Sequence, residues 1–183
     1  MPRDLARSLP WPIRGFQIAR DTPISRCDSH VRWLLSERKR GGTEKKNRSS
    51  VCIRDEKEAF SVRPRFPDMI KYLVLDVQDN EEQNLIRLFP SQVDCFFFLS
   101  GRDIYVFRAK LFIDGALSDP PCKVLVHCNG GISLSPAFVV MFVMQHYHIS
   151  WEDALHLVQN RRYCISPNGG FLTQIKVSEK LEG

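Results

Sequence analysis

The sequence predicts an α/β domain whose central, mostly parallel sheet is flanked by helices. Two patterns lead there. Apolar runs of strand length, such as "YLVLDV" (72–77) and "KVLVHC" (123–128), are nearly continuous rather than alternating, as in strands covered on both faces. Stretches with helical spacing and capping residues follow these runs, and strands followed by helices in this way imply parallel pairing. With 183 residues, 43% of them hydrophobic, the chain suffices for one such domain with a buried core.

Residues 1–50 come first and show little periodicity. Prolines at positions 2, 10, 12 and 23, scattered arginines and the run "ERKRGGTEKKNRSS" predict a basic, disordered segment. A short helix is compatible with "SHVRWLLSERKR" (29–40), where Val31, Leu34 and Leu35 share a face. The segment carries twelve Lys/Arg against five Asp/Glu, while the rest of the chain carries fourteen against sixteen. The segment's balance is +7 and that of the rest is −2, so all the net basicity behind the formal charge of +5 belongs to the segment. The basic cluster fits a nuclear-localisation or anionic-surface patch, or simply a solvated linker. A nucleic-acid partner is not indicated, because arginines interleaved with prolines and apolar residues form no recognised binding motif.

The texture changes at Val51, and residues 51–180 read as the folded domain. "VCI" (51–53) is a short β-branched run, followed by the strand-like "YLVLDV". "NEEQNLIRLFP" (80–90) has helical spacing at Leu85, Ile86, Leu88 and Phe89 and acids at its front, which suits a helix amino terminus. The stretch at about 91–110 is out of character and reads as an insert. There "CFFFL" and "IYVF" flank the turn "SGRD", as in a strand pair. After "KVLVHC" three helices are expected. One spans Ser135–Tyr147. A second begins at Ser150, with Asp153 at the position of a capping-box acid. The third begins at "SPNGGF", with Ser166 as cap and Pro167 in the first turn.

Several function classes fall away. No apolar run reaches the roughly 18 to 20 residues of a membrane span, and "AFVVMFVMQHYH" is interrupted by Gln145 and His146. The first residues carry charges and prolines where a signal peptide needs an apolar stretch, so a soluble intracellular protein is expected. The six cysteines (27, 52, 95, 122, 128 and 164) form no C-x-x-C pair, which argues against a zinc site or redox dithiol. Most are expected to be buried, reduced thiols. No metal or other cofactor is expected.

Cys128 stands apart. "HCNGGISLS" (127–135) lies between a predicted strand and a predicted helix, so successive backbone N–H groups and the helix dipole converge on one spot. Such a loop lowers the pKa of a cysteine at its mouth. It also cradles the oxygens of a phosphoryl group that the thiolate could attack. Gly130 and Gly131 let the backbone curl closely.

That loop resembles the H-C-x5-R-S/T signature of protein tyrosine phosphatases. His127, Cys128 and Ser135 stand at the signature's His, Cys and Ser/Thr positions, and Asn129, Gly130, Gly131, Ile132 and Ser133 fill the loop. The signature's arginine falls at Leu134. "YLVLDVQDN" is similar to the strand and acid loop of the dual-specificity branch, which places Asp79 at the general-acid position. "NRRYCISPNGGFLTQI" resembles that branch's carboxy-terminal loop and helix. The resemblance covers about residues 51–89 and 112–175, and is strongest to a pseudophosphatase of the branch. It implies the phosphatase-like fold, with the family's amino-terminal part missing or replaced in residues 1–50. From Asp79 to Cys128 there are 49 positions, more than the family uses, which again marks 91–110 as an insert.

The missing arginine weighs heavily. In the family it clamps phosphate and transition state with two charge-assisted hydrogen bonds. At roughly 1.5–3 kcal/mol each, their loss removes about two to four decades of rate. Leu134 would add apolar surface where a dianion must be desolvated. The resemblance then implies a catalytically inactive interaction protein of phospho-signalling. Its implied partners are mitogen-activated protein kinases or F-box proteins, and its implied location is cytoplasmic and nuclear. The alternative is a weakly active, cysteine-dependent dual-specificity phosphatase that keeps Cys128 as nucleophile, Asp79 as acid and Ser135 as the loop hydroxyl.

Overall fold

The structure, a computed structural model, describes residues 16–19, 32–37, 48–85, 105–118 and 123–182. Among the described residues five strands form one sheet: β1 (Phe16–Ala19), β2 (Arg32–Glu37), β3 (Arg48–Arg54), β4 (Lys71–Asp76) and β5 (Lys123–His127). Their order is β1-β2-β5-β3-β4. β3 runs parallel to both neighbours, with Cys52 level with Val74 on one side and His127 on the other. This parallel trio is the part built from the near-continuous apolar runs. Val51, Ile53, Leu75, Val124 and Val126 are buried on it.

The described residues also form four α-helices: α1 (Tyr105–Leu117), between β4 and β5, then α2 (Leu134–Tyr147), α3 (Trp151–Arg161) and α4 (Gly169–Glu182). α2 is the centre of the core. Every residue from Leu134 to Gln145 is buried, because the helix is apolar around its whole circumference and packs against the sheet, α3 and α4. It ends where His148 takes a left-handed conformation (φ 51°) and Ile149 N–H reaches back to the Met144 carbonyl at 3.2 Å. α3 begins as the sequence suggests: the Ser150 hydroxyl accepts from Asp153 N–H at 3.1 Å.

Several expectations need correction. The stretch 29–40 contains a strand, not a helix. Arg32–Glu37 pairs antiparallel with β5 from Arg32–His127 to Ser36–Lys123, and β1 pairs outside it. Two strands of the sheet thus come from residues 1–50, and β5, which would otherwise be an edge, lies inside the sheet. Residues 80–85 form turns rather than the first part of a helix, although Leu85 is fully buried; 86–90 lie outside the described residues. The insert at 91–110 is also redrawn. Residues 105–110 open α1, so Tyr105–Phe107 is helical rather than the second strand of a hairpin, and "CFFFL" lies outside the described residues. Val106, Ala109, Ile113 and Leu117 are buried along one face of that helix. α4 is capped by Asn168, whose Oδ1 accepts from Phe171 N–H at 2.9 Å, not by Ser166. Of the described cysteines, Cys52 and Cys128 are buried, but Cys164 is exposed.

Cys52 sits in the middle of β3 with no exposed surface. Burial pushes its thiol up from 9.0 to about 11, against the opposing pull of Arg54. A raised pKa means the folded state holds the proton that the unfolded chain releases. The stability this gives is complete below pH 9 and is lost as pH rises through about 11. The urea midpoint should therefore fall more steeply across that window in the wild-type chain than in Cys52→Ala. Parallel curves for the two proteins would contradict this assignment.

Candidate functional site

β5 delivers the loop, and the first turn of α2 closes it. His127 ends the strand, buried. Cys128 follows, with only 4% of its surface exposed. Its sulfur accepts from Gly131 N–H at 3.1 Å and lies 3.2 Å from the Ser135 hydroxyl. Gly131 has φ 63°, a left-handed conformation that favours glycine, and its amide donates back to the thiol. Gly130 has no such requirement, since a side chain there would meet nothing nearer than Ile132 at 3.7 Å.

The outer residues of the loop are tied to other parts of the domain. The Asn129 amide donates to Glu58 Oε1 at 2.7 Å. Ile132 is exposed, but its carbonyl accepts from Ser166 N–H at 2.8 Å. Ser133 occupies the N-cap of α2, yet its hydroxyl makes no cap bond. It donates instead to Asp79 Oδ1 at 2.7 Å. The same oxygen accepts from the Asn168 side chain at 2.9 Å, and Asn168 N–H donates to the Ser133 hydroxyl at 3.2 Å. Asp79, Ser133 and Asn168 thus form a closed triangle that joins the acid loop, the cysteine loop and α4.

α4 secures the acid loop at two further points. Gly170 faces the Glu81 backbone so closely that a Cβ would come within 2.1 Å of the Glu81 carbonyl oxygen. Gln174 accepts from Leu85 N–H and donates to the Gln83 carbonyl at 2.8 Å.

Leu134 departs from the picture of an apolar lining to an open cradle. It is 3% exposed and belongs, with Cys128, Ala137 and Phe138, to the hydrophobic core. The chemistry available is correspondingly restrained. A phosphate dianion approaching the loop meets two carboxylates hydrogen-bonded to it, Glu58 and Asp79, and a thiol that is almost entirely covered. Asp79 acts as a hydrogen-bond acceptor within the triangle, whereas a general acid must present a proton to the leaving group.

The structure thus brings together all the residues singled out in the sequence: His127 to Ser135 in one loop, with Asp79 bonded to it. Glu58, Asn168, Gly170 and Gln174 were not foreseen. Asn168 carried a signal, an Asx residue just before a helix, that the neighbouring Ser166 obscured. Glu58 carried none, since only the fold brings it to Asn129.

Comparison with known proteins agrees with this geometry. The family model for the dual specificity phosphatase catalytic domain matches residues 65–180. The serine/threonine/tyrosine-interacting proteins of Mus musculus and Homo sapiens are 40% identical over 131 residues, 72% of this chain and 51% of theirs. Human dual specificity protein phosphatase 22 is 34% identical over 122 residues, 67% of this chain and 56% of its own. The chain spans about half the length of these curated relatives. The crystal structure of the human tyrosine phosphatase-like serine/threonine/tyrosine-interacting protein superposes with a TM-score of 0.62 at 38% identity. It matches 74% of this chain and 78% of the other.

If the triangle holds the acid loop down, Asp79→Ala should free both partners at once. Expected are faster amide hydrogen exchange at Asn168 and through residues 77–85, and a loss of about 0.5–1.5 kcal/mol in unfolding free energy. Gly170→Ala, which forces backbone apart, should be worse, by about 1–3 kcal/mol. Unchanged exchange in Asp79→Ala would show that the triangle does not restrain the loop.

Proposed function

The chain belongs to the dual specificity phosphatase family, and on that premise we propose that it is a catalytically inactive member, a pseudophosphatase that acts by binding other proteins. The observation that carries this reading is Leu134. It occupies the position of the family's phosphate-clamping arginine and is buried in the core, so the loop offers an incoming phosphoryl group no guanidinium there. The burial of Cys128 and the carboxylates of Glu58 and Asp79 at the loop support it. Partners of the mitogen-activated protein kinase or F-box class, and residence in cytoplasm and nucleus, are part of this proposal and rest on family resemblance alone.

A second reading, a weakly active cysteine-dependent phosphatase, draws on one observation. The Cys128 sulfur still receives the Gly131 amide and stands beside the Ser135 hydroxyl, so the inner part of the loop is formed.

Hydrolysis of p-nitrophenyl phosphate separates the two. The wild-type chain should release phosphate no faster than Cys128→Ser. Leu134→Arg should gain activity on the order of a hundredfold over the double variant that also carries Cys128→Ser. A wild-type rate that disappears in Cys128→Ser would establish the second reading instead.

A further inference from the structure

We propose that Glu58 is the charge selector of the cysteine loop: its carboxylate keeps anions, phosphorylated side chains among them, away from the mouth. A partner engaged there presents unphosphorylated side chains. This rests on the reading of a binding protein given above, and narrows what its loop can bind.

Two neutral donors hold the carboxylate. Glu58 closes the short 3-10 turn that follows β3, Glu56–Glu58. Its Oε2 accepts from Asp55 N–H at 3.4 Å, and the Asp55 side chain accepts in turn from Lys57 N–H at 3.0 Å. Its Oε1 accepts from the Asn129 amide at 2.7 Å. One oxygen is thus fixed on its own turn and the other on the residue that follows Cys128. A side-chain amide and a backbone N–H carry no net charge, so these bonds orient the carboxylate without neutralising it. Glu58 is half-buried, whereas Asp79 is exposed, so water and salt screen Glu58 the less.

The surroundings supply no cation to offset it. Residues 127–135 contain no Lys, Arg, Asp or Glu. Among the described residues, the charged side chains bonded to the loop are Glu58 and Asp79, both negative. Arg54, at the end of β3, is engaged with Asp76 Oδ1 at 2.9 Å and with the Ala59 and Val62 carbonyls. Lys57 is exposed next to an exposed Glu56, and Arg63 lies over the Phe60 ring at 5.4 Å. Arg161 and Arg162 precede Ser166, whose N–H reaches the Ile132 carbonyl. Yet Arg161 is exposed, and Arg162 Nε is turned to the Cys164 sulfur at 3.0 Å. An anion arriving at the loop therefore meets fixed negative charge, which a neutral side chain does not feel.

The test is a titration of the whole chain with inorganic phosphate, read by NMR from the amide signals of Gly130 and Gly131. Glu58→Gln, which keeps an acceptor for Asn129, should bind phosphate about fivefold more tightly than the wild-type chain, the effect of one half-screened charge at roughly 8 Å. Glu58→Ala, which loses the bond as well, should gain as much, and Asp79→Asn should gain less. Added salt should shrink the difference between wild type and Glu58→Gln, which a mere loosening of the loop would not produce. Unchanged far-ultraviolet circular dichroism checks the fold of each variant. Equal phosphate affinity in wild type and Glu58→Gln, or no shift in either protein, would overturn the proposal. So would a larger gain in Asp79→Asn, or a gain in Glu58→Ala that Glu58→Gln does not share. Failure of the inactive-member reading is read separately, as wild-type hydrolysis of p-nitrophenyl phosphate that disappears in Cys128→Ser.

Discussion

Leu134 belongs at once to the loop and to the core, and much of the structure follows from it. Leu134 lies in the cysteine loop and is the first residue of α2, the helix around which the domain is packed. At that junction a long cation has to leave the core and reach the loop, which takes a charge with its own hydrogen-bond partners. A leucine has no such obligation and simply joins the apolar cluster that already holds Cys128, Ala137 and Phe138. The substitution is therefore compatible with the fold. It places a buried apolar side chain at the point where the family's chemistry needs a charge.

The outer half of the loop shows the same tendency. Its polar groups are matched within the protein: Asn129 with Glu58, Ser133 with Asp79, Ser166 with the Ile132 carbonyl. The Asp79 triangle goes further and links three separate chain segments through one carboxylate oxygen. α4 adds the close approach of Gly170 and the two bonds of Gln174. The acid loop is thus held against the helix and the cysteine loop by contacts that require no bound anion.

How much of this could be read from the residues depends on how local the deciding interaction is. β3, β4 and β5 were legible because each carries a nearly unbroken apolar run of strand length, although β4 is an edge strand in which only Leu75 is buried rather than a strand covered on both faces. β2 was not. The face shared by Val31, Leu34 and Leu35 fits a helix equally well, and the choice falls to long-range hydrogen bonds with β5 that no local pattern encodes. α1 was missed for a related reason. "IYVF" is rich in strand-favouring residues, and the helical spacing of Val106, Ala109, Ile113 and Leu117 emerges only when the window runs on past residue 110. At the site, the loop from His127 to Ser135 was legible from a cysteine and two glycines set between a strand-like and a helix-like run, and from its resemblance to the family signature. The place of Leu134, by contrast, turned on packing: a side chain drawn as lining a cradle belongs to the core.

Pairing carboxylates with neutral donors has a consequence for how such a loop behaves without a ligand. In an anion-binding loop the converging amides repel one another electrostatically until a negative group arrives, so order and occupancy are coupled. Here the Gly131 amide points at the Cys128 sulfur, and the carboxylates of Glu58 and Asp79 already supply negative charge nearby. These contacts are made within the protein, with no phosphate taking part. A surface that presents one fixed shape to a partner needs contacts of that kind, whereas a catalytic loop must exchange its internal contacts for contacts with the transition state. On the reading proposed above, Leu134, tied into the core, goes with the first.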